Sequence, residues 1–308
     1  MSHLDLNWLS PVEKRGEYQF KRDDLFAPFN VPLNGGKVRQ ALDLMTRKLD
    51  RIRGDYGGIV CTVSSVHSPQ GYLIARCAHS LGLHTVIGVG TSAPAGVAAR
   101  YPPFRLAVEL GAEIVPLAKI GYNSVLQMRL ERLANRNKWY PVTFGIASDL
   151  AINSRQIANL PRDLDNLVIP CGSGVSATAI LRGLAEAARR PKNIYVVQIA
   201  GIDRTKVIGH RLPYHFIADK TYSYAKKLEL DYEGLELDMI YEAKAFAWLR
   251  RERLLGKTCF WVIGNFNRLR SWRIDDIPKV QGKPKIPQVG TPLEPKPSGD
   301  GTFWGVRR

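Results

Sequence analysis

Lys37 stands behind two glycines in Asn34-Gly35-Gly36-Lys37-Val38-Arg39, shortly after the charged run Lys21-Arg22-Asp23-Asp24-Leu25. A lysine amine held in such a turn can meet a carbonyl. Burial or a charged neighbour lowers its pKa, and the neutral amine then forms a Schiff base. Taken alone, the spacing also suits a solvated lysine in a Gly-rich turn, so other groups must decide. Cys171-Gly172-Ser173-Gly174-Val175-Ser176-Ala177 follows a strand-like run and opens a helix. Backbone N–H groups there, with the helix dipole, make an anion site. Glycines admit a phosphate to the main chain, and Ser173 and Ser176 add hydroxyl donors. The pattern also satisfies Gly-x-Gly-x-x-Ala, but a dinucleotide site requires an acidic residue about 20 positions on. The chain offers Gln198 there, so a phosphate monoester is the better fit.

Two further turns carry reactive side chains. Ser64-Ser65-Val66-His67-Ser68-Pro69-Gln70-Gly71 begins another helix, whose N–H groups can hold a carboxylate. Ser65, His67, Ser68 and Gln70 are its candidate substrate-binding residues. Helix capping by Ser68, with Pro69 at the first helical position, describes the same residues equally well. Tyr241-Glu242 precedes a helix beginning near Ala243, where an acidic residue is favourable for the helix dipole. Gly256-Lys257-Thr258 lacks the leading glycine of a P-loop, since Arg251 occupies that place. The four cysteines, Cys61, Cys77, Cys171 and Cys259, form no Cys-x-x-Cys pair. That argues against a zinc ribbon or redox dithiol, and no metal site is expected. Reduced thiols fit a cytoplasmic protein.

The elements that position these residues alternate. Strands are expected at 58–63, 85–89, 112–116, 166–170, 193–198 and 259–263, the last closing the pattern. Helices are expected at 70–83, 105–110, 122–136 and 243–254, and from the glycine turn after 170 through Arg189. The strand runs are apolar and rich in β-branched residues, as buried parallel strands are. The fold class is therefore α/β, with open, twisted, mostly parallel sheets and flanking helices. Ligands belong at the carboxyl ends of such strands, where the glycine turns lie. Residues 278–308 hold six prolines and end near Phe303-Trp304. They read as an extended basic tail, the aromatic pair docking it or stacking on a base.

The chain has 308 residues, 45% hydrophobic, enough for a sizeable core. No apolar run approaches the roughly 20 residues that span a bilayer, and no signal peptide is apparent after Met1. Lys+Arg 44 against Asp+Glu 28 gives a net charge of +16. For an enzyme of small substrates that is a large bias, and nucleic acid is the natural polyanionic partner. The basic residues are spread along the chain, so several elements must share that surface.

A Schiff-base lysine, a phosphate cradle and an acid together describe pyridoxal phosphate chemistry. The chain resembles the fold-type II (tryptophan synthase β-like) pyridoxal phosphate enzymes, in particular the 1-aminocyclopropane-1-carboxylate deaminase and D-cysteine desulfhydrase group. The resemblance lies in Lys21 to Leu25, Gly35 to Arg39, Ser68-Pro69-Gln70, Gly172 to Ala177 and Leu237-Asp238-Met239-Ile240-Tyr241-Glu242-Ala243. It implies a cofactor, pyridoxal 5'-phosphate, in a cleft between domains. One domain would comprise 1–45 and 150–277, the other 46–149, in a homodimer. Lys37 would hold the cofactor and move the α-proton. Gly172, Ser173, Gly174, Val175 and Ser176 would bind its phosphate, with Gly264 nearby. Glu242 would face the pyridine nitrogen and keep the ring able to accept carbanion charge. Tyr241 and Ser68 would lie at the substrate.

The departures from that group are informative. Pro69 stands where the group has Asn and removes one N–H from the carboxylate clamp. Ile263 and Asn265 replace Thr and Gly. A weakened clamp is expected where the carboxylate must leave. The expected function is therefore a lyase acting at an amino acid's α-carbon, with decarboxylation favoured over deamination. Joined to the charge, it points to an amino acid carried on a modified base in DNA. Phage enzymes that elaborate thymine are similar in kind and would work in the host cytoplasm. A deaminase or desulfhydrase of a free amino acid is one alternative, and a non-catalytic nucleic-acid-binding relative is another.

Overall fold

The structure, a computed structural model, describes residues 5–271 apart from 67, 92–95, 98–99, 118–122, 148–149, 200–202, 210–211 and 225. The proline-rich tail with Phe303 and Trp304, and His67, lie outside the described residues. The chain opens with a hairpin, β1 (Val12–Arg15) and β2 (Tyr18–Arg22), then enters α1 (Gly36–Arg47) and α2 (Leu49–Asp55). An alternating stretch follows: β3 (Ile59–Val63), α3 (Gln70–Ser80), β4 (His84–Val89), α4 (Pro102–Glu109), β5 (Glu113–Pro116), α5 (Asn123–Asn137) and β6 (Tyr140–Val142). The short α6 (Ala151–Ser154) leads to β7 (Asn166–Cys171), α7 (Val175–Glu186), β8 (Asn193–Gln198), α8 (Thr205–Ile208) and β9 (His215–Ala218). A small hairpin, β10 (Asp231–Tyr232) and β11 (Leu235–Glu236), precedes α9 (Glu242–Glu252), β12 (Thr258–Val262) and α10 (Asn267–Ser271).

These strands form two main sheets. The larger has the order β1-β2-β12-β7-β8-β9, and the smaller β5-β4-β3-β6. Every pairing is parallel except β1 with β2 in the larger sheet. The last strand, β12, does not close the sheet at its edge. It lies between β2 and β7, with Phe260 opposite both Phe20 and Val168. All five of its residues are buried, as a central parallel strand covered on both faces requires. One face packs Ile180, Leu181 and Leu184 of α7, and the other packs Phe246 and Leu249 of α9.

The β1–β2 hairpin was not legible because its charges obscure the pattern. Lys21 is fully buried and Arg22 nearly so. The Lys21 amine donates to Ser10 O and Asn159 Oδ1, and Arg22 forms a two-pronged pair with Asp24 at 2.9 and 2.8 Å. Buried charge is tolerated there because it is paired and hydrogen-bonded. The strands of the smaller sheet fall within 59–142, and those of the larger within 12–22 and 166–262. Helix α1 presents Val38, Ala41, Leu42 and Met45 on one stripe, shared with Leu73 of α3 and Phe104 of α4.

Candidate active site

The carboxyl ends of β7 and β12, the first turn of α1 and the turn before α3 converge on a cavity of about 360 Å³. Such crevices are where open parallel sheets bind ligands. Lys37 reaches it from the first turn of α1. Gly35 has φ +96°, and a Cβ on it would lie 2.3 Å from Ile263 O, so no side chain fits. Gly36 N donates to the same carbonyl at 2.9 Å. The glycine pair thus docks the lysine turn on the end of β12. Asp23 supports it from below, accepting from Trp261 Nε1 at 2.8 Å and Ser10 Oγ at 2.7 Å and pairing with Arg39 at 3.3 Å. Its Oδ2 lies 3.3 Å from where a Gly36 Cβ would stand. The charged run and the glycine–lysine turn are one construction.

Lys37 forms no hydrogen bond or ion pair with another described side chain or backbone group. Burial lowers its pKa, against the opposing pull of the Glu242 carboxylate and the Cys171 thiol. A lowered pKa makes the neutral amine, the form that attacks a carbonyl, easier to reach.

The serine–glycine turn shares the cavity with that amine. Gly172, Ser173, Gly174 and Ser176 all line it. Gly174 takes the left-handed conformation, φ +88°, that starts α7. A Cβ on Gly172 would stand 2.6 Å from Tyr241 Cε1, so the main chain is bare where Tyr241 lies against it. Val175 begins the helix and turns into the core, its Cγ2 2.9 Å from the Cβ position of Gly145.

Glu242 is buried at the N-terminus of α9, and Oε1 accepts from Ile263 N at 3.2 Å and Gly264 N at 3.4 Å. Burial, then the charge of Asp238, pushes its pKa well above the carboxylate range; the backbone N–H groups of Glu242 itself and Gly264, and the Arg270 charge, oppose this only in part. Asp238, fully buried, accepts from Ile240 N at 3.0 Å and Tyr241 N at 3.2 Å and pairs with Arg270. The Tyr241 hydroxyl meets that of Tyr224 at 2.9 Å, and burial holds its pKa well above the usual phenol value.

The turn before α3 contributes Ser65, Ser68, Pro69 and Gln70 to the wall. The amides at its helix end, residues 68–71, are occupied. Ser68 N donates to Ser65 O at 3.0 Å, Pro69 has no N–H, Gln70 N donates to Ser68 Oγ at 3.2 Å, and Gly71 N donates to Ser64 Oγ at 3.1 Å. The helix starts at Gln70, as its expected range has it, with Pro69 as its cap and not its first helical residue. Gln70 uses its amide on Thr62 Oγ1, Thr143 O and Gly145 N, so it ties the wall together.

Of the residues singled out from the sequence, Lys37, Ser65, Ser68, Gln70, Gly172, Ser173, Gly174, Ser176, Tyr241, Glu242 and Gly264 share this cavity. Arg204 and Tyr224 share it too; each sits in an irregular segment with no sequence pattern around it to mark it. Asn265, a departure from the resembled group, braces the site: its N–H bonds Asn34 Oδ1 at 2.8 Å and its amide bonds Glu236 O at 2.8 Å. The residues fit pyridoxal phosphate. An unpartnered amine, a cradle with no room for side chains and a buried carboxyl held by two backbone donors match its aldehyde, its phosphate and its ring nitrogen.

Comparison with known proteins agrees. A family model described as pyridoxal-phosphate dependent enzyme matches residues 7–254. The chain is 30% identical over 231 residues to the O-seryl-dTMP PLP-dependent decarboxylase of Salmonella phage ViI, covering 68% of this chain and 53% of that protein. It therefore spans about half the length of that relative. Among solved structures, an ACC deaminase homologue superposes with a TM-score of 0.65 at 20% identity, covering 83% of this chain and 89% of that one. The O-acetylserine dependent cystathionine beta-synthase from Helicobacter pylori gives 0.58 at 16% identity, with 89% and 99% covered. Both are likenesses of fold. By its matched length and its architecture, this chain belongs to the pyridoxal-phosphate dependent enzymes of fold type II.

Proposed function

We propose that this enzyme removes the α-carboxylate from an amino acid carried on a thymidine nucleotide, as in O-seryl-dTMP, within or destined for DNA. The observation that carries the reading is the state of the turn before α3. Of the amides at 68–71, none is free to hold a carboxylate. A carboxylate clamped by N–H donors is stabilised as an anion, and that stabilisation is lost as it becomes neutral CO2. Interactions stronger in the ground state than in the transition state slow a reaction. With the amides at 68, 70 and 71 engaged and Pro69 lacking an N–H, the helix end of the turn reduces that obstacle, and Leu73, Phe144, Ile146 and Phe266 add apolar wall.

Pyridoxal phosphate, when bound, supplies an electron sink for the bond broken at the α-carbon. The chain's own groups do the rest. Lys37 holds the cofactor and returns a proton to the α-carbon after CO2 departs. Glu242 keeps the ring nitrogen protonated. Residues 172–176 take the phosphate, and Ser65, Ser68 and Tyr241 border the substrate. The net change is amino acid plus one proton giving amine plus CO2. The nucleotide is supported by the similarity to the phage decarboxylase and by the net charge of +16, which suits a polyanion. The test is incubation with DNA bearing seryl-modified thymine, followed by nucleoside mass analysis. Loss of CO2 from the modified nucleoside is expected; loss of ammonia, or no change beside turnover of a free amino acid, would contradict the reading.

A further inference from the structure

We infer that Arg204 is a phosphate-binding residue of this cavity, supplying a fixed positive charge beside the serine–glycine turn. It lines the cavity together with Gly172, Ser173, Gly174 and Ser176. Its Cβ lies 3.5 Å from where a Cβ on Gly174 would stand, so it abuts the residue that opens α7. Its Nε is buried without a hydrogen-bond partner. No described carboxylate pairs with it: the adjacent Asp203 is engaged by Thr205, accepting from its N at 2.8 Å and its Oγ1 at 2.7 Å. A guanidinium bordering the cavity with a buried, unpaired Nε carries a cost that an anion at this wall would offset.

The surroundings fix where that anion belongs. Arg204 O accepts from Val207 N at 2.9 Å and Ile208 N at 3.0 Å. Thr178 Oγ1, in α7, bonds Gly174 O at 2.9 Å and Val207 O at 3.4 Å, fastening this segment to the head of α7. The positive field already reaches the turn, since Arg204 pulls the Cys171 thiol pKa down against the burial that raises it to about 12. The turn itself offers neutral donors, namely amides and serine hydroxyls. A planar guanidinium adds full charge and a fork that matches phosphate oxygens. Two phosphates can reach this end of the cavity: that of the cofactor and that of a substrate nucleotide. The contact with Gly174 favours the cofactor's. The cofactor case rests on family membership, whereas the nucleotide case rests on the function proposed above.

The test compares Arg204→Gln and Arg204→Lys with the unaltered protein, each stripped of cofactor and titrated with pyridoxal phosphate and with pyridoxal. Charged hydrogen bonds of this type are worth about 10- to 100-fold in affinity. Arg204→Gln is expected to weaken pyridoxal phosphate by that factor and to leave pyridoxal unchanged, with Arg204→Lys between. In a second arm, dTMP is titrated into each holoenzyme. A loss confined to dTMP would assign Arg204 to the substrate phosphate, which supports the same chemistry. With the cofactor arm positive, absence of dTMP binding to every form counts against the nucleotide reading and leaves this assignment standing. Unchanged affinity in both arms, or equal weakening of pyridoxal and pyridoxal phosphate, overturns it. Should Arg204→Gln fail to fold, Arg204→Lys carries the comparison, with its fold checked by circular dichroism.

Discussion

Ser64 Oγ accepts the amide hydrogen of Gly71 at 3.1 Å, inside the turn where a substrate carboxylate would sit. With Ser68 Oγ taking Gln70 N and Pro69 offering no N–H, the turn caps its own helix. Capping and carboxylate binding compete for the same donors, and here capping has them.

Restoring donors should therefore shift the outcome. Pro69→Asn supplies an N–H, and Ser64→Ala releases that of Gly71. Each is expected to tighten binding of the substrate carboxylate by about fivefold to tenfold, the worth of one hydrogen bond of about 1–1.5 kcal/mol. Each should also lower the ratio of CO2 to ammonia released. Measuring KM and both products for the two variants checks this; an unchanged ratio would show that the turn does not govern the bond broken.

Glu242 gives a pH prediction. Its folded pKa is raised by burial above the unfolded value. Its contribution to stability is then complete below the ordinary glutamate range and is lost as pH rises through the raised value. In the cofactor-free protein, Glu242→Gln should remove that decline, so the variant loses less stability than the parent as pH rises above the ordinary glutamate range. Denaturant titrations at several pH values would show it. The loaded variant should turn over about 10²-fold more slowly, the usual loss when a preorganised electrostatic partner is removed.

Gly172 and Tyr241 cannot both keep their places if a methyl group is added. The Cβ of Gly172→Ala would fall 2.6 Å from the tyrosine ring. Overpacking of this kind costs about 1–3 kcal/mol. A lower melting temperature and weaker pyridoxal phosphate binding are expected, with partial recovery in Gly172→Ala/Tyr241→Ala; full additivity of the two changes would contradict the contact.

Asp23 holds three buried partners, Trp261 Nε1, Ser10 Oγ and Arg39. Asp23→Ala leaves the Arg39 charge buried and unpaired, at a cost of about 3–5 kcal/mol. Because Asp23 lies under Gly36, cofactor binding should weaken as well. Asp23→Asn, which keeps one acceptor oxygen for either Trp261 Nε1 or Ser10 Oγ and preserves the side-chain volume, should lose less on both counts.

Much of this was legible because glycines and alternation carry geometric meaning. The strand runs and the turns at 34–39, 64–71 and 171–177 each follow from local patterns, and the sheet ends bring them together. Lys21 and Arg22 concealed a central strand, since charge reads as surface until its buried partners are known. No local pattern marks Arg204 and Tyr224, because their place in the cavity depends on tertiary placement alone. The position of β12 between β2 and β7 was likewise invisible: sequence order fixes which segments are strands, while register across the sheet is set by packing on both faces.

The most direct test is product analysis with the holoenzyme and O-seryl-dTMP labelled in its carboxyl group. The account predicts labelled CO2 in step with the corresponding amine, abolished in Lys37→Ala. Ammonia and a keto acid with the label retained, or equal CO2 release from Lys37→Ala, would contradict it.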